Sequence, residues 1–216
     1  MSDKTQFIDL MLAQEVLQFG DFTLKSGRKS PYFFNLGKVA SGPAFAELGQ
    51  AYAEAIIASG IEFDVLFGPA YKGIPIAVAT SVALATHGVN VGVAYNRKEA
   101  KDHGEGGWLV GAEVSGRVLL IDDVLTSGKA IREAVSLIAE TDAEIVGAVI
   151  AMDRQEVNAD GVTAVGALAE ELGSSVISIA NMQDLIAYLR QDSAHKDWLT
   201  GMQAYQTEYC RMPSGK

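Results

Sequence analysis

Apolar residues along the chain gather in short unbroken runs, and between the runs they recur at helical spacing. Val118-Leu119-Leu120-Ile121 shows no polar alternation, the pattern of a parallel strand covered on both faces. Phe63 to Phe67, Val91 to Tyr95, Glu144 to Met152 and Ser175 to Ile179 also read as strands. Helical spacing marks Gly73 to Thr86, Gly128 to Glu140, Thr163 to Leu172 and Met182 to Arg190. Pro43 opens a further helix to about Ser59, with Gly60 at its end. This alternation predicts an α/β fold: one domain over residues 1–216, with an open, mostly parallel sheet and helices on both faces.

The ends of the chain depart from that alternation. Residues 5–19 predict a first helix, with Phe7, Ile8, Met11, Leu12, Val16 and Phe19 broadly on one side and Gly20 as its stop. Within residues 20–40, Phe22 to Leu24 and Tyr32 to Leu36 flank Ser26-Gly27-Arg28-Lys29-Ser30-Pro31. That is a hairpin signature, and it predicts a small hood outside the core. Residues 193–209 predict a last helix of weaker periodicity.

The apolar share of 49% and charged share of 20% fit a globular protein. Ile74 to Thr86, the longest weakly polar stretch, is too short to span a bilayer. The polar first residues give no sign of a signal peptide. A single cysteine, Cys210, allows neither an intramolecular disulfide nor a multi-cysteine metal site. A cytoplasmic location is expected, without a membrane partner. The net charge of −10 argues against sequence-independent nucleic-acid binding. It also makes the placement of each Lys and Arg informative, because an acidic protein that takes an anion must gather positive charge locally.

Such gathering occurs at strand ends. Gly68-Pro69-Ala70-Tyr71-Lys72-Gly73, Asn96-Arg97-Lys98, Asp122-Asp123 and Asp153-Arg154 each close a predicted strand. Ligands of open α/β sheets bind outside the carboxyl ends of the strands, so these groups should share one crevice. The most specific of them is Asp122-Asp123-Val124-Leu125-Thr126-Ser127-Gly128-Lys129-Ala130. A Walker loop would need an upstream glycine and a Ser or Thr after the lysine, and a Rossmann loop three spaced glycines; neither pattern is present. Two acceptors stand at one end of the turn, and helix N-terminal amides hold an anion at the other. That pairing suits a ribose 5-phosphate. Close glycines at Gly68 and Gly73 let the backbone approach an anion, and Lys72 supplies a point charge or is merely solvated. Residues 97–109 carry Arg97, Lys98, Lys101 and His103 before Gly104, Gly106 and Gly107; they read as a lid or as a solvated loop. Arg154 is either a carboxylate fork or the partner of Glu156 or Asp153, and Phe33-Phe34 either line a ligand or pack in the core.

The Asp122 to Ala130 stretch resembles the phosphoribosyl pyrophosphate (PRPP) signature of type I phosphoribosyltransferases. With Lys25, Phe33-Phe34-Asn35, Tyr71-Lys72, Arg97-Lys98, Lys101, His103-Gly104 and Arg154, the chain is similar over its whole length to the orotate phosphoribosyltransferase branch. The resemblance implies transfer of a phosphoribosyl group from PRPP to N1 of orotate. It places PRPP on Lys25, Tyr71, Lys72, Arg97, Lys98, Lys101, His103 and Asp122 to Ala130, including Val124, Leu125, Thr126, Ser127, Gly128 and Lys129. Lys101, His103, Asp122 and Asp123 are expected to be catalytic, with Lys25, Phe33, Phe34, Thr126 and Arg154 on orotate and the two rings flanking it. It further implies Mg²⁺ carried mainly by PRPP, with at most water-mediated contact to the aspartates, and a cis peptide near Ala70-Tyr71. A homodimer whose mobile loop acts on the partner's site completes the expectation. The rivals are a purine or uracil phosphoribosyltransferase, which needs no carboxylate-binding Arg154, and a PRPP-sensing regulator, which would carry a basic nucleic-acid surface.

Overall fold

The structure is a computed structural model that describes residues 3–24, 27–101, 107–125 and 128–211, without the side chains of Asp3, Ala100 and Lys101. Six strands form the main sheet in the order β5-β4-β3-β6-β7-β8. They are β3 (Val65–Gly68), β4 (Gly92–Lys101), β5 (Gly107–Gly111), β6 (Arg117–Val124), β7 (Glu144–Asp153) and β8 (Val176–Asn181). All neighbours run parallel except β4 and β5, which form an antiparallel edge. Every residue of β6 from Val118 to Asp123 is buried, as its uninterrupted aliphatic run requires. Full burial of each such Leu or Ile side chain stabilises the fold by about 1.5–3 kcal/mol.

Helices cover both faces: α2 (Gly42–Ser59), α3 (Gly73–Thr86), α4 (Lys129–Ile138), α5 (Ala164–Leu172) and α6 (Met182–Gln191). Their ends follow the local chemistry. Ser41 caps α2 by accepting from the Ala44 N–H, and Gly60 closes it at φ 68°. Asn181 and Asp184 form a reciprocal capping box on α6. No described helix is long and apolar enough to cross a membrane.

Three expectations are corrected. The first helix, α1, covers only Asp3–Ala13 and does not reach Phe19. Glu15 adopts φ 54°, which breaks the helix, and Leu17–Thr23 becomes strand β1. The apolar residues at its end serve strand pairing instead: Leu17 faces Phe34 and Phe19 faces Tyr32 of β2 (Lys29–Phe34). Gly20 therefore lies inside a strand and stops nothing. Secondly, β4 continues past Tyr95 to Lys101, and β5, which no periodicity announced, pairs back on it. An edge hairpin with solvent on its faces needs no apolar alternation. Thirdly, the last helix begins as a 3₁₀ turn at Lys196–Trp198 before α7 (Leu199–Tyr209).

Candidate functional site

The carboxyl ends of β3, β4, β6 and β7 lie side by side in the sheet, because all four strands run the same way. At the end of β6, both aspartates are buried. Asp122 Oδ1 accepts the Asp123 N–H at 2.9 Å, and Asp123 Oδ1 accepts the Val124 N–H at 2.8 Å. Tyr52 of α2 donates its hydroxyl to the Asp122 carbonyl at 2.8 Å, which fixes the strand end from below. Burial, reinforced by the Asp123 charge, pushes the Asp122 carboxyl up to about 7.

Lys72 meets this pair from the β3–α3 turn, its Nζ 2.6 Å from Asp123 Oδ2. The turn is tight: a Cβ on Gly68 would lie 2.2 Å from the Gly73 carbonyl oxygen, and one on Gly73 would lie 2.9 Å from the Ile121 oxygen. Only glycine allows this turn to sit against β6. The Ala70-Tyr71 peptide is cis, as the resemblance implied. The Ala70 N–H donates to Oδ1 of buried Asn96 at 3.0 Å, which ties the turn to β4. Asn35 Oδ1 accepts from Lys72 Nζ at 3.4 Å and from the Gly37 N–H. The sequence reading gave Asn35 and Asn96 no such positioning roles.

A cleft of about 320 Å³ runs from the aspartates to the start of α4, lined by Asp122, Asp123, Val124, Leu125, Gly128, Lys129 and Ala130. Gly128 takes the left-handed φ of 64° at the helix start, where first-turn amides have no intrahelical acceptor. Lys98 of β4 and Glu133 of α4 complete the lining, joined at 2.8 Å, with Lys129 3.7 Å from the same carboxylate. Hydrogen bonding to Lys98 holds the Glu133 carboxyl below its usual range. Glu133 was missed as a cleft residue, although its i,i+4 spacing from Lys129 could have marked it.

The other expected residues sit elsewhere. Tyr71 is 71% exposed and borders, with Lys72, a second, more apolar cavity of about 230 Å³ against α3. Arg97 donates to the Gly107 carbonyl across the β4–β5 hairpin. Phe33 and Phe34 leave β2 on opposite faces, Phe34 buried at 7% and Phe33 at 39% stacked on Phe22. Two rings on opposite faces of one strand cannot flank a single flat ligand, so the expectation that both do so is corrected. Arg154, beyond the end of β7, borders neither cavity. Its Nε donates to Glu156 Oε1 at 2.8 Å, and its guanidinium lies over the Tyr32 ring at 4.4 Å. The ion pair with Glu156, one of the alternatives open from the sequence, is thus formed. Lys25, His103, Thr126, Ser127 and the Lys101 side chain lie outside the described residues. Burial, reinforced by the Glu156 charge, pushes the Cys210 thiol up to about 12, which suits an inert cysteine.

A doubly covered, mostly parallel sheet whose buried acidic strand end shares one cleft with the start of a helix is the arrangement of a phosphoribosyltransferase. Residues 35–160 match the phosphoribosyl transferase domain. The chain is 52% identical over 205 residues to the orotate phosphoribosyltransferase of Vibrio cholerae, covering 94% of this chain and 96% of that one. The crystal structure of the Francisella tularensis orotate phosphoribosyltransferase superposes with a TM-score of 0.85 at 37% identity, covering 95% of this chain and all of that one. That of the Mycobacterium tuberculosis orotate phosphoribosyltransferase in complex with PRPP gives 0.64 at 25% identity, covering 85% and 99%. The chain belongs to the orotate phosphoribosyltransferases.

Proposed function

We propose that this chain transfers the 5-phosphoribosyl group of PRPP to N1 of orotate, giving orotidine 5′-monophosphate and pyrophosphate in pyrimidine (UMP) biosynthesis. The observation that carries the reading is the buried Asp122-Asp123 pair joined by one cleft to the first turn of α4. Here the ribose hydroxyls would donate to the carboxylates while its 5-phosphate takes the amides from Gly128 onward. Breaking the C1–O bond builds positive charge on the ribose and negative charge on the departing pyrophosphate. The aspartates stand on the side of the first charge; Lys72, Arg97, Lys98, Lys101 and His103 serve the second. Orotate is assigned to the hood side, with Lys25, Thr126 and Arg154.

Mg²⁺ is the proposed cofactor. Among the described residues no three His, Cys, Asp or Glu side chains form a ligand cluster. The Asp122-Asp123 edge fits an ion that enters on the substrate and is reached through water. Bound there, it would neutralise pyrophosphate charge. The chain is read as one domain working in the cytoplasm as a homodimer, with the segment at 97–109 completing the partner's site. Mixing Lys101→Ala with Arg154→Ala protein should restore activity through heterodimers that hold one intact site; no recovery after demonstrated subunit exchange would place each loop on its own subunit. The reaction is tested by incubation with PRPP, Mg²⁺ and each of orotate, uracil, adenine and guanine. Consumption of orotate alone is expected, and consumption of another base instead would overturn the assignment.

A further inference from the structure

We propose that Glu156 is the positioning residue for the base site, holding Arg154 in place and making the C-terminal helix α7 part of that site. The inference rests on the assignment of orotate to Arg154. Glu156 stands at a junction of three segments. Its Oε1 accepts from Arg154 Nε at 2.8 Å and from the Tyr205 hydroxyl of α7 at 2.7 Å. Its Oε2 lies 3.2 Å from Arg28 Nη1 at the base of the hood turn. Arg28 in turn covers the Tyr209 ring at 4.4 Å, and residues 156 and 210 form a backbone bridge.

The backbone is bent to make this junction. Gln155 adopts φ 55°, a conformation that costs an L residue about 1 kcal/mol or more. The bend is held on both sides: Asp153 Oδ1 accepts the Gln155 N–H at 2.8 Å, and the Gln155 carbonyl accepts the Arg211 N–H at 2.9 Å. The side chain of Gln155 is buried at 3%, and its Oε1 has no hydrogen-bond partner among the described residues. A non-glycine left-handed residue with an unmet buried acceptor points to a geometry kept for function rather than for stability.

The orientation of Arg154 explains what is gained. Its Nε is taken by Glu156, and its Nη2 is sealed from solvent 2.6 Å from the same oxygen, without the linear geometry of a hydrogen bond. The Tyr32 ring fixes the plane of the guanidinium. With Nε and Nη2 both drawn to Glu156 Oε1, the fork is held in a single direction, as recognition of a planar carboxylate requires. An arginine on a free tether would have to lose its rotamer freedom on each binding event.

Kinetics of Glu156→Gln, Tyr205→Phe, Arg154→Ala and the double variant Glu156→Gln/Arg154→Ala test the proposal. Gln keeps an oxygen acceptor but removes the charge, so KM for orotate should rise about tenfold while KM for PRPP stays within about twofold. Tyr205→Phe, which keeps the ion pair, should give a smaller rise of about two- to threefold in the same parameter, and it serves if Glu156→Gln does not fold. In the Arg154→Ala background the Gln substitution should add little, because its effect runs through Arg154. A lower KM for orotate in Glu156→Gln would show that the carboxylate competes with the substrate, and it would overturn the proposal. Equal rises in both KM values, or an undiminished effect in the Arg154→Ala background, would likewise overturn it. Unchanged orotate use by Arg154→Ala itself would instead overturn the assignment of the base site.

Discussion

The ends of β6 and β7 stand side by side in one sheet, yet they are built in different ways. The β6 site is made by neighbours in sequence: Asp122 to Leu125 and Gly128 to Ala130 line one cleft. Its frame is local, each carboxylate accepting the N–H of the next residue, and the reach of Lys72 to Asp123 across 51 positions is added to it. The β7 site is made by strangers. Arg28 reaches Glu156 across 128 positions, and Tyr205 reaches it across 49. A local turn can carry its ligand chemistry wherever its strand and helix form. A composite junction exists only once hood, sheet and C-terminal helix have docked. Changes in the first should alter PRPP handling and local electrostatics, and changes in the second should alter the choice of base.

The largest expected effect is electrostatic and belongs to β6. Asp122 is raised to about 7 in the folded protein, so the fold binds its proton more tightly than the unfolded chain does. The stability linked to that proton is fully present below the ordinary carboxylate range and is lost as pH rises through about 7. Asp122→Asn should therefore stabilise the protein relative to the parent between about pH 4 and pH 8, by a difference on the order of 3 kcal/mol. Thermal melts of both proteins across that range would show it. A pH-independent difference would mean that Asp122 is ionised at no cost, with Lys72 compensating in full.

Next comes the base site. Arg154→Ala should lower kcat/KM for orotate by about 2 kcal/mol in transition-state terms, or more, through loss of charge-assisted hydrogen bonds. KM for PRPP should barely move. Orotate use equal to the parent's would reduce Arg154 to a structural partner of Glu156 and Tyr32. Asp123→Asn should have the opposite selectivity. It removes the 2.6 Å partner of Lys72, and kcat/KM for PRPP should fall by about 1.5 kcal/mol while orotate KM holds. A fall confined to thermal stability would assign the Lys72–Asp123 pair to the fold.

The same contrast explains what could be read beforehand. The buried run Val118 to Ile121 admitted one reading, and Pro43 and Gly60 bounded α2 within a residue of its observed ends. The strand end at Asp122 and the helix start at Lys129 were legible because chemistry and geometry share one stretch of chain. Residues 16–19 were misassigned because apolar residues at helical spacing also serve a strand that turns after Glu15. Trp108 and its neighbours in β5 gave no signal, since an exposed edge strand needs no buried face. Phe33-Phe34 looked like a pair in sequence, but strand pleating separates adjacent rings. Glu156 was visible only as a candidate partner of Arg154. Nothing local tied it to Tyr205 or Arg28, because those contacts arise from tertiary docking.

The smallest expected effect tests whether the β6 cleft is as self-contained as its sequence implies. Glu133 lies outside the motif, four residues beyond Lys129, and it holds Lys98, the other lining residue from outside, at 2.8 Å across the opening. A carboxylate in a phosphate cleft repels the ligand and occupies a cation that the pyrophosphate needs. Both ends of the pair are partly exposed, so the bond itself contributes little to the fold. Glu133→Gln should leave thermal stability nearly unchanged and lower KM for PRPP by about two- to threefold. The gain should shrink as salt is raised, because exposed charges a few ångströms apart are screened. Steady-state kinetics at low and high ionic strength would measure both features. A higher KM would give Glu133 the opposite task, that of holding Lys98 ready for the substrate, and the two strand ends would then share one design: an acid that aims a base.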